Sequence, residues 1–75
     1  MIRELDVVVL RQDLPAAALQ AGDVGTVVMV YDGGRAFEVE FTTLTGNTVS
    51  VVTLAAEAIR PVEPTDVTHV RAAVA

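Results

Sequence analysis

Short runs of alternating apolar and polar residues, punctuated by glycine-containing turns and never broken by a full-length helix, predict an all-β domain. The expected architecture is a small, five-stranded, partly open barrel. Composition points the same way. Valine supplies 15 positions and threonine 8, and both are β-branched residues that suit a pleated sheet. At 75 residues the chain has room for one domain and one small core. Its 52% hydrophobic content excludes a disordered chain. Closing such a sheet on itself hides strand edges and gives an apolar interior without a second layer.

The elements follow in chain order. Leu5 to Leu10 reads as a strand, with Leu5, Val7 and Val9 on one face and Asp6, Val8 and Leu10 on the other. From Arg11 to Gly22 the chain makes an irregular excursion. Pro15 and Gly22 leave space for only one helical turn between them, and Leu14 and Leu19 are expected to pin the segment to the core. Gly22-Asp23-Val24-Gly25 is the sharpest local signal, a turn whose glycines permit positive φ or close backbone approach. It feeds a strand over Thr26 to Tyr31. Asp32-Gly33-Gly34 signals a hairpin. Ala36 to Phe41 then returns as the cleanest half-buried strand, with Phe37, Val39 and Phe41 alternating against Ala36, Glu38 and Glu40.

Thr43 to Asn47 closes the next hairpin, and Thr48 to Thr53 forms the next strand. Leu54 to Ala58 loses the period of two and predicts a short 3₁₀ turn before the last strand. That strand, Ile59 to Val62, contains Pro61, which lacks an N–H and belongs at an edge or strand end. The expected core is Leu5, Val7, Val9, Leu19, Val28, Val30, Phe37, Val39, Phe41, Val49, Val51, Leu54 and Ile59. Residues 1–62 thus form the barrel domain and 63–75 a C-terminal extension. In the extension, Pro64-Thr65-Asp66 can cap a helix carrying Val67, Val70, Arg71 and Val74 along one side. A strand and a frayed terminus are the other readings.

Charge narrows the partners. Ten acids stand against five arginines, for a net charge of -5, and lysine is absent. Arg3, Arg11, Arg35, Arg60 and Arg71 are widely spaced, so no basic cluster for a phosphate backbone is visible. An acidic surface suits a basic protein partner. Without cysteine there is no disulfide, thiol nucleophile or thiolate metal site. No apolar run is long enough for a membrane span, and no signal peptide is seen, so the expected location is cytoplasmic.

The pieces Leu5 to Leu10, Leu19, Ala21 to Val28, Tyr31, Phe37 to Phe41, Val52 to Leu54 and Ile59 to Val62, in that order, resemble an uncharacterised family of short bacterial proteins. The resemblance covers about residues 2–62 and implies an SH3-like barrel. The Gly22 to Val27 turn is similar to the glycine-containing loop of RNA-contacting ribosomal and transcription-factor barrels, though its neighbours here are Gln20, Asp23 and Thr26. Similar barrels serve as subunits or chaperones of enzymes such as nitrile hydratases. Some relatives look as if they are encoded beside toxin-like proteins, which implies an immunity or antitoxin role.

Chemistry finds little purchase. Ser50, His69 and Tyr31 are each the single residue of their type, and Ser50 sits mid-strand without a sharp nucleophile turn. Glu38 and Glu40 share one strand face but supply too few ligands for a metal. Asp23 and Asp32 read as turn residues. The expectation is a non-catalytic protein-interaction module that needs no cofactor. Its candidate contacts are Arg11, Gln12, Asp13, Tyr31, Arg35 and Arg60, because tyrosine and arginine are enriched at binding hot spots. A nucleic-acid-binding barrel and a small accessory subunit are the alternatives, and the tail valines offer a route to self-association.

Overall fold

A computed structural model describes residues 1–73. Five strands, β1 (Val7–Leu10), β2 (Val24–Tyr31), β3 (Ala36–Thr42), β4 (Thr48–Ala55) and β5 (Ile59–Pro61), form one sheet in the order β4-β3-β2-β1-β5. Every neighbouring pair is antiparallel. Short 3₁₀ turns at Pro15–Ala17, Asp32–Gly34 and Ala56–Ala58 join them, the last one directly before β5. No α-helix occurs among the described residues.

The sheet is curled but not closed. Its edge strands β4 and β5 are not paired, yet only Ala56–Ala58 separates them in sequence. The four Cα steps from Ala55 to Ile59 reach about 15 Å at full stretch. The edges of a flat five-stranded sheet would lie about 19 Å apart. The short turn therefore forces the two edges towards each other, and the concave side becomes the core. Val8, Leu10, Leu19, Val27, Phe37, Val39, Phe41, Leu54, Ala58 and Ile59 form it. Fully burying a side chain such as Val27 contributes about 1.5–3 kcal/mol.

All five expected strands are present, but β1 starts at Val7 rather than Leu5, β2 starts at Val24 rather than Thr26, β4 runs on through Leu54 and Ala55 so that the 3₁₀ turn is only Ala56–Ala58, and several faces differ. Leu19, Phe37, Val39, Phe41, Leu54 and Ile59 are buried as predicted, with Val30 and Val49 packed against them. Leu5, Val7, Val28 and Val51 are exposed instead. Leu5 leaves the strand because Asp6 closes a turn. The Asp6 Oδ2 accepts from Arg3 N at 2.8 Å, Asp6 N donates to Arg3 O, and Leu5 takes φ 72. Next along the chain, Val8 and Leu10 face inward where Val7 and Val9 were expected to. Val9, buried on the outer face, is flanked by Val24 and Arg60. In β2 a bulge between Val27 and Met29 shifts the phase, so Val27 and Val30 both serve the core while Val28 is left outside. In β4 Val52 and Leu54 oppose the inward Val39 and Phe37, which turns Val51 outward.

Of the two glycines expected in the turn before β2, only Gly22 lies in it, whereas Gly25 is the second residue of β2, opposite Val8. Gly22 has φ 95, a left-handed conformation that favours glycine. Gly25 is buried beneath the core, where an added Cβ would lie 2.7 Å from Val39 Cγ1 and 2.8 Å from Phe41 Cε2. The excursion after β1 is held by Leu14 and Leu19, whose backbones exchange two hydrogen bonds. The tail is neither helix nor strand over 67–73. Val67 and Val70 are exposed, and Val74 of the anticipated apolar stripe lies outside the described residues.

Candidate interaction surfaces

The backbone bonds reveal which edge of the sheet is free. Leu5 N donates to Val27 O at 2.7 Å and Val27 N to Asp6 O at 2.9 Å, so both backbone groups of Val27 point away from β3. In an antiparallel ladder, successive residues direct these groups to opposite sides. Val39, opposite Val27, therefore directs its own towards Val52 of β4. Within β4, Ser50, Val52 and Leu54 bond β3, whereas Val51 and Thr53 aim their N–H and C=O groups at the free edge. Among the described residues no other backbone group bonds to them.

This edge is unusual in its chemistry. Thr48–Ala55 is eight residues long and contains no charge, proline or glycine. Val51 is 48% exposed, and Thr53 and Ala55 are exposed beside it. The opposite edge, β5, is three residues ending in Pro61. The convex face between these edges carries Met29, Tyr31, Glu38 and Glu40. Tyr31 lies here, with its hydroxyl donating to Glu38 Oε1 at 2.7 Å. That bond pushes the phenol above its ordinary value. Glu40 Oε2 accepts from Thr48 Oγ1 at 2.8 Å.

The residues singled out in the sequence are only partly gathered. Arg11 N donates to Ala58 O at 2.8 Å, and Ala56 N to Arg35 O at 2.9 Å, so both arginines flank the Ala56–Ala58 turn. Tyr31 stands at the same end, opposite Ala36. Gln12 and Asp13 are exposed in the loop after β1. There Asp13 Oδ1 accepts from Ala21 N at 2.8 Å and ties the loop together. Arg60 is engaged elsewhere. Its Nη1 and Nη2 donate to Asp66 at 2.9 Å each, and Asp66 Oδ2 also accepts from Glu63 N. The guanidinium and that amide hold the Asp66 carboxyl at about 2.

A second clip was not foreseen. Arg71 Nε donates to Asp23 Oδ1 at 2.8 Å, Arg71 Nη2 donates to Asp23 Oδ2 at 2.5 Å and to Ala18 O at 3.0 Å. Arg71 draws the Asp23 carboxyl below its ordinary value. Asp23 also accepts from Gln20 N, so the turn residue expected at that position holds both its own loop and the tail. An open groove lies between Thr68–Arg71 and the strand ends at Thr26, Glu40 and Thr42, and the exposed His69 lines it.

These features define a small all-β domain built on one curled antiparallel sheet with a long open edge. The chain belongs to a domain family of unknown function, DUF4926, whose model matches residues 4–61. The matched stretch ends in β5, and the clipped tail lies beyond it. No curated protein and no solved structure matches the chain.

Proposed function

We propose that this chain is a non-catalytic, cytoplasmic protein-interaction module, an SH3-like barrel left open between β4 and β5, which binds its partner by strand addition at β4. The observation that carries this reading is the uncharged β4 edge with the outward backbone groups of Val51 and Thr53. An added strand would take its affinity from main-chain bonds and its specificity from alternate side chains such as Val51. Immunity protein, antitoxin-like protein and accessory subunit of an enzyme complex are three settings of the same contact.

The nucleic-acid alternative draws less support. Arg60 and Arg71 each face a carboxylate of the chain itself, and phosphate binding relies on clustered cations that are free to displace counterions. Affinity co-purification of the tagged full chain from its host, with and without nuclease, tests the proposal. The expected result is a stoichiometric protein that survives nuclease and is lost with Val51→Lys. Capture that disappears on nuclease treatment, or that ignores Val51→Lys, overturns it.

A further inference from the structure

We infer that β4 pairs antiparallel with β4 of a second copy of this chain, which rests on the reading of β4 as the binding edge and names its occupant. Natural sheets blunt their edges by brevity, proline or charge. The β5 edge has all three, in its length, Pro61 and Arg60, whereas the eight-residue β4 has none of them, and its single register shift, beside Thr42, leaves Ser50–Ala55 regular.

Symmetry favours a like strand. A two-fold axis normal to the sheet keeps each convex face on its own side and makes the contact self-complementary. Paired residues must then share a face, so Val51 falls beside Val51 or Thr53 of the second copy and never opposite Val52. These are β-branched pairs of the kind that stabilise a ladder. The outward N–H and C=O of Val51 and Thr53 meet the same groups running the other way, which completes both sets of bonds.

Charge permits the pairing although each copy carries -5. No charge lies on β4, and the acids beside it on β3 are Glu40 and Glu38, opposite Val51 and Thr53. Across the joined edges they would stand three strand spacings apart, about 14 Å, beyond the Debye length of about 8 Å at physiological ionic strength. The edge is also accessible. The Pro15–Ala17 turn touches β4 but makes no backbone bond to it, and Val51, Thr53 and Ala55 stay exposed.

Light scattering and hydrogen exchange on the full chain test this across a concentration series at physiological salt. The mass is expected to rise from 7.9 kDa to twice that value. Val51→Lys and Thr53→Lys should each keep the monomer mass with unchanged circular dichroism. The Val51 and Thr53 amides should gain protection as the mass doubles, while those of Val52 and Leu54 are protected throughout. A chain that stays monomeric overturns the inference. So does a dimer that survives both lysines, or one that forms without slowing the Val51 and Thr53 amides. A monomeric chain whose captured partner is still lost with Val51→Lys removes the second copy and leaves the binding edge in place. Capture that ignores Val51→Lys removes the binding edge itself.

Discussion

The sheet and the tail are held by different physics. Residues of β1 to β5 cohere through apolar burial on one concave face, with no charged side chain in the core. The tail leaves that core and is fixed by two arginine–carboxylate clips, Arg60–Asp66 and Arg71–Asp23. Burial is non-directional and hard to screen, whereas ion pairs weaken with salt and pH, the more exposed Arg60–Asp66 pair more than the half-buried Arg71–Asp23 pair. The first region should therefore set whether the chain folds, and the second only where its terminus lies.

The most severe test of that division is Gly25→Val. The added side chain would collide with Val39 and Phe41, both on the core face. Overpacking of this kind costs about 1–3 kcal/mol and occasionally more, and a side chain that meets two core residues at once belongs at the upper end. A domain of this length has only about 4–11 kcal/mol in total. Denaturant melts should show a large loss of stability, and an unchanged midpoint would mean that the close approach at Gly25 is not structural.

Next in size is a matched pair on β2. Val27 is fully buried, while Val28 is 36% exposed. Val27→Ala should cost about 2 kcal/mol, whereas Val28→Ala should stay within about 0.5 kcal/mol, the range of surface substitutions. Equal losses would place the bulge elsewhere and undo the assignment of faces.

That pair also marks where the sequence stops being informative. Phe37, Val39 and Phe41 alternate with Ala36, Glu38 and Glu40, so polarity labels the wet face of β3 and its core residues are legible directly. Val7-Val8-Val9 and Val27-Val28-Met29-Val30 carry no polar marker. Their faces are chosen by partners distant in sequence, Gly25 for Val8 and Val39 for Val27. The same limit applies to the candidate site. The uncharged run Thr48–Ala55 is visible in the sequence, but its place at the edge is a property of strand order. Arg11 and Arg35 read as contact residues from their chemistry alone, and their shared position at the Ala56–Ala58 turn depends on the curl. The Asp23–Arg71 clip joins residues 48 apart, and local pattern carries no trace of it.

Asp23 sits at the border of the two regions and should show an intermediate effect. Asp23→Ala removes the bond from Gln20 N and both bonds from Arg71. Loss of the local backbone bond alone is worth on the order of 1 kcal/mol. Arg71→Ala keeps that bond and removes only the tail contact, so it should leave the melt nearly unchanged while freeing residues near 71. Amide exchange and proteolysis of the tail, read beside the melts, separate the two variants. Equal destabilisation by both would mean that the tail supports the core.

The smallest effect is a titration. Asp66 ionises at about 2, below its ordinary 3.8, chiefly because Arg60 donates to its carboxylate. A depressed folded pKa means that the clip contributes fully above 3.8 and is lost as pH falls through about 2. The Glu63 amide, which donates to Asp66 Oδ2, should report this in an acid titration with a midpoint near 2. The Asp66→Asn variant should abolish that titration and lower the thermal melt at neutral pH slightly, the smallest loss of the series. A midpoint at the ordinary carboxylate value would show that Arg60 and Asp66 are not paired in solution. The arginine would then be free for a partner, and the nucleic-acid alternative would regain one of the two cations its own carboxylates now hold.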